Sequence, residues 1–158
     1  MFSLPAPSAD IQRLRESILQ TVQHVTEAEH NLVANLANAA SIMYHALPDV
    51  NWSGFYLFDG TELVLGPFHG RPACIRIALG RGVCGTAAHE RRTIVVPDVE
   101  VFPGHIACDS ASRSEVVVPM LRAGELLGVL DVDSPVADRF SADDVRLLEE
   151  IVAVLMSR

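Results

Sequence analysis

Between Asn51 and Ser134 the chain is a succession of short β-type runs joined by tight turns, and this pattern restricts the fold more than any other feature. "NWSGFYLF" and "TELVLGPF" are aromatic and β-branched runs separated by Asp59-Gly60, a strong hairpin signal. "CIRIAL" supplies a third run, and "TIVVPDV" a short one ended by Pro97. "SEVVVPM" and "ELLGVLDVD" form a second hairpin across Ala123-Gly124. Connections this short join antiparallel neighbours. "GRGVCGTAAHE" has glycine at both ends of its first turn and then helix formers, so a short helix is expected there.

Helical patterns bracket this β region. Residues 1–7 carry two prolines and read as a flexible start. Ser8 or Asp10 can cap a helix whose apolar positions are Ile11, Leu14, Ile18, Val22 and Val25. A second stripe from Leu32 through Leu36, Ala39, Met43 and Leu47 runs up to Pro48, as one bent helix or two. Ser141 caps a final helix with Asp143 and Asp144 in its first turn and Leu148, Ile151 and Leu155 on its apolar face. The expected architecture is a single α+β domain over 1–158. It has a central, mostly antiparallel sheet of five to six strands, flanked by N- and C-terminal helices that pack on one face.

Charge narrows the function. Twelve basic against twenty acidic residues leave a net −8, which opposes binding to nucleic acid or to an anionic membrane. No apolar run reaches membrane-spanning length, and the N-terminus does not resemble a secretory signal. Three cysteines in a chain of 158 residues point to a reducing compartment, the cytoplasm, rather than to a disulfide scaffold.

The strand period of two sorts the candidate chemistry. Val129, Asp131 and Asp133 share one face, and Leu130 and Val132 the other. Glu115 starts the preceding strand, so the hairpin can bring three acids together. Their mutual repulsion raises at least one pKa and keeps a proton available. Trp52, Gly54 and Tyr56 also share a face, either as core or as an apolar wall with a gap at Gly54. Cys74, Cys84 and Cys108 lie 10 and 24 positions apart with no Cys-x-x-Cys, so no metal site is expected, even with His105 nearby. Burial as an inert residue suits Cys74 and Cys84 better than Cys108. Cys108 sits among Gly104, Ala107, Ser110, Ala111 and Ser112, whose uncrowded amides can bind a carboxylate or stabilise a thiolate. Asp109 would oppose the thiolate, whereas His105 and Arg113 could help it.

The stretches "DVNWSGFYL", "LVLGPFHGRPACIRI", "GRGVCGTAA", "VPDV", "FPGHIACDSASRSEVVVP" and "GVLDVDSP" cover most of residues 49–135 in order. In these stretches the chain resembles the free methionine-(R)-sulfoxide reductases, which are built on a GAF domain. The resemblance implies Cys108 as the nucleophile that attacks the sulfoxide sulfur and Cys74 as the resolving thiol, with Cys84 a candidate second one. It implies Glu115, Asp131 and Asp133 as acids that position substrate and help protonate its oxygen. It also implies Trp52 and Tyr56 as the wall around the methyl-sulfinyl end, and the loop at Ala107 and Asp109 as part of the substrate site. No bound cofactor is expected; thioredoxin, fed by NADPH through its reductase, is the implied reductant, and a homodimer is plausible. The rival expectation is a GAF-type sensor of a small molecule or of redox state, which would make no product.

Overall fold

A computed structural model describes residues 2–106 and 110–158. The first helix, α1 (Ile11–Thr26), begins where the Asp10 carboxylate accepts the backbone N–H groups of Gln12 and Arg13. It buries Leu14, Ile18, Val22 and Val25, one face of the helical period. The question of one helix or two resolves at Asn31, whose side chain caps α2 (Leu32–Ala46) by accepting from Ala34 N–H at 3.0 Å. Two helices therefore precede the sheet.

Six strands follow: β1 (Trp52–Phe58), β2 (Glu62–Gly70), β3 (Arg76–Ala78), β4 (Ile94–Val96), β5 (Ser114–Arg122) and β6 (Glu125–Ser134). Their order across the sheet is β3-β2-β1-β6-β5-β4, and every pair is antiparallel. The two expected hairpins are β1–β2 and β5–β6, and β1 joins them by pairing with β6. The third and fourth runs keep only three paired residues each. α4 (Ala142–Met156) starts with a capping box, in which Ser141 and Asp144 each bond the other's backbone N–H.

α1, α2 and α4 cover one face of the sheet over Phe55, Val116, Val118, Leu130 and Val132. The N- and C-terminal helices thus share one face, as expected, and the short helix between β3 and β4 lies apart from them. α3 (Gly82–Glu90) packs on the opposite face, with Cys84, Ala87 and Ala88 against a second core containing Trp52, Tyr56, Val117 and Val129. Its contact residues are small, so it lies close to the sheet. A side chain at Gly85 would run into the Ala78 carbonyl, so only glycine lets α3 seat against β3.

Candidate functional site

Sheet register builds the site. Asp133 of β6 pairs with Glu115 of β5 on one side and with Trp52 of β1 on the other, while Asp131 pairs with Val117 and Gly54. Side-chain alternation then points Trp52, Tyr56, Glu115, Asp131 and Asp133 to the α3 side of the sheet. α3 supplies Cys84 from above. Its Sγ lies 3.3 Å from Asp131 Oδ2 and 3.9 Å from Glu115 Oε1. Tyr56, Cys84, Glu115, Asp131 and Asp133 floor an open pocket rimmed by Arg81, His105, Ile106 and Ser112. A smaller adjoining pocket is lined by Trp52, Tyr56, Asp131, Asp133 and the 71–73 segment.

The electrostatics are those of a buried acid cluster. Glu115 and Asp131 are 5% and 6% exposed and hydrogen-bond one another. Burial pushes both carboxyls well above their ordinary range. The charge of Asp133 adds to the effect at Glu115, and that of Glu115 at Asp131. Burial, then the charges of Asp131 and Glu115, also pushes the Cys84 thiol up, so it stays protonated and donates to Asp131. The Tyr56 phenol is raised chiefly by burial, and its O–H donates to the Cys74 carbonyl at 3.0 Å. His105 Nε2 is 3.6 Å from Glu115 Oε2, yet burial pulls the imidazole down while Glu115 holds its proton. That contact is between neutral groups, not an ion pair. Asp131 Oδ1 is buried with no hydrogen-bond partner among the described residues.

The aromatic wall is braced. Trp52 stacks on Phe68 at 5.3 Å between ring centroids and on Tyr56 at 6.0 Å, and its indole N–H donates to the Arg71 carbonyl at 3.1 Å. Gly54 passes beneath this stack, where any Cβ would run into Phe68 and the Trp52 ring.

The three acids, Tyr56 and Cys84 thus meet in one pocket, with Trp52 beside it. Cys74 is half-buried and disulfide-bonded, whereas Cys84 is a free thiol. Cys108, Ala107 and Asp109 lie outside the described residues. Their loop is anchored on its far side: Asn51 donates to Ser112 Oγ at 3.1 Å, and Arg113 N–H donates to the Ser134 carbonyl at 2.7 Å. Arg113, expected as a helper of the thiolate, instead has its guanidinium on Asp98 at 3.3 Å. Sequence reasoning missed Phe68 and the inclusion of Cys84 among the acids. The glycines around "GVCG" are the one signal of a close helix–sheet approach that could have revealed the latter.

A GAF domain family model matches residues 10–158. The free methionine-R-sulfoxide reductase of Escherichia coli is 50% identical over 127 residues, 80% of this chain and 77% of that one. The crystal structure of a free methionine-R-sulfoxide reductase from Neisseria meningitidis in complex with its substrate is 43% identical with a TM-score of 0.95, covering 99% of this chain and 95% of that one. A Burkholderia vietnamiensis protein named as a candidate GAF sensor is 54% identical with a TM-score of 0.90, covering 94% of each chain. Among the described residues, no helix is long and apolar enough to cross a membrane.

Proposed function

The chain belongs to the GAF family and, within it, to the free methionine-(R)-sulfoxide reductases, and from that premise we propose that it reduces free L-methionine-(R)-sulfoxide to methionine. The observation that carries this reading is the buried Glu115–Asp131 pair, a proton store beneath an aromatic wall. The Cys108 thiolate attacks the sulfoxide sulfur. The oxygen takes one proton from the acid pair, and the hydroxyl then bonds to the Cys108 sulfur as the S–O and S–S bonds to the substrate sulfur break, so methionine leaves and Cys108 is left as a sulfenic acid. The Cys74 thiol then displaces water from that sulfenic acid to form the disulfide. A thioredoxin-type dithiol, oxidised in exchange, restores both thiols. The disulfide-bonded state of Cys74 and the free, buried Cys84 support this division of labour.

Each end of the substrate has a partner of matching chemistry. Asp133, half-buried at the pocket, and the unpartnered Asp131 Oδ1 suit the ammonium group. Trp52 and Tyr56 suit the methyl end, and the 107–109 loop the carboxylate. Recognition of both free termini excludes methionine sulfoxide within a peptide. A relay that must be re-reduced suits the cytoplasm. The test is NADPH consumption with thioredoxin and its reductase on the R and S epimers. Turnover on R alone, abolished by Cys108→Ala, is expected. No turnover with active reductant would favour the sensor reading.

A further inference from the structure

Three donors, one thiol and two carboxyls, meet at the pocket floor from distant parts of the chain: Cys84 on α3, Glu115 on β5 and Asp131 on β6. One ligand atom from each lies within 4.8 Å of the other two, with Sγ 3.3 Å from the Asp131 carboxylate and 3.9 Å from that of Glu115. A tetrahedral zinc ion, with Zn–S near 2.3 Å and Zn–O near 2.1 Å, holds its ligand atoms roughly 3.4–3.6 Å apart. The two thiol–carboxylate distances, 3.3 and 3.9 Å, bracket that spacing. His105 Nε2 lies 3.6 Å from the other Glu115 oxygen, Oε2, outside this three-atom group. Asp131 Oδ1, the second oxygen of that carboxylate, is buried and unpartnered among the described residues, an acceptor that a cation beside it would satisfy.

We propose that this floor is a zinc site, in which Cys84, Glu115 and Asp131 bind the ion and the fourth position opens to the pocket. The donor set selects the metal. One sulfur and two carboxylates with an open fourth position suit zinc, whereas magnesium and calcium prefer all-oxygen shells. Because it occupies the acids, zinc locks the enzyme. The lock rests on the function proposed above; the ligation does not.

Cobalt(II) is the probe. With Cys74→Ser and Cys108→Ser, Cys84 is the only thiol of the three. This protein is expected to bind one equivalent of cobalt, with thiolate-to-cobalt charge-transfer absorption in the ultraviolet and intense visible bands of a four-coordinate ion. Adding Cys84→Ser removes the charge-transfer band. The nearly isosteric Asp131→Asn, in a protein whose melting curve confirms folding, weakens cobalt binding by at least roughly tenfold. No charge-transfer band, or one that survives Cys84→Ser, overturns the site. Zinc added to the reduced native protein should raise the apparent KM for methionine-(R)-sulfoxide. Unchanged kinetics beside a clear cobalt band would overturn the lock and leave the ligation standing. A protein that turns over neither epimer would instead refute the proposed function, again without touching the cobalt result.

Discussion

Glu115 and Asp131 stand diagonally across the β5–β6 ladder and hydrogen-bond one another under the Cys84 thiol. Their register follows from the pairing of Glu115 with Asp133 and of Val117 with Asp131. Two carboxyls this close and this buried cannot both ionise cheaply, so the pair keeps a proton at neutral pH.

The pair therefore makes stability fall as pH rises. Both folded-state pKa values lie above the unfolded values of about 4. A raised acid binds more protons folded than unfolded, so stability is lost from about pH 4 upward, until the folded groups themselves titrate. Each unit of upward shift is worth about 1.4 kcal/mol. Glu115→Gln should remove part of this penalty, so its Tm should gain on the wild type as pH goes from 5 to 8. Equal pH slopes for the two proteins would refute the shared proton. The same variant should lose roughly 10²- to 10⁴-fold in kcat/KM, the usual contribution of a positioned acid.

Cys74→Ser separates chemistry from recycling. Cys108 can still attack, but its sulfenic acid finds no resolving thiol, so about one equivalent of methionine should form per protein chain and thioredoxin-driven turnover should stall. Cys84 is poorly suited to rescue the reaction, being 5% exposed and hydrogen-bonded to Asp131. Rapid-quench counting of methionine checks this. Sustained turnover in Cys74→Ser would assign the resolving role to Cys84 instead.

Gly54→Ala tests the wall. The added methyl must displace Phe68 or Trp52, and so disturb the stack that orients the indole. The expected cost is about 1–3 kcal/mol of stability from overpacking, with a rise in KM larger than the fall in kcat. Urea unfolding and steady-state kinetics on the R epimer measure the two effects.

Period made most of this fold legible. The two hairpins and the helical stripes follow from alternation and 3.6-residue spacing, and the same alternation assigned Asp131 and Asp133 to a face apart from Leu130 and Val132. The position of α3 was hidden, because nine residues rich in glycine and alanine show no stripe to say which face they cover. The neighbours of Cys84 were hidden for the same reason: they come from β5 and β6, and only tertiary packing brings them within reach. Phe68 looks like any strand aromatic until the β1–β2 register sets it opposite Gly54.

Asp144 is the ion that ties the helical layer together. Its carboxylate accepts from Arg15 of α1 and from Arg139, each at 2.9 Å, and all three side chains are at most 12% exposed. Burial alone would raise its pKa, but the Ser141 backbone, the Arg15 guanidinium and the Ser141 hydroxyl hold it below the ordinary carboxylate range, with the charge of Arg139 adding to them. For a depressed acid the linked stability is fully present above about pH 4 and is lost as pH falls through the folded pKa. Asp144→Ala leaves two arginines without their shared anion and removes half of the capping box, so a loss of about 3–5 kcal/mol is expected. Urea unfolding at pH 7 measures it, and the gap between wild type and variant should narrow toward pH 3. A gap that stayed constant with pH would mean that Asp144 contributes through capping geometry rather than through its charge.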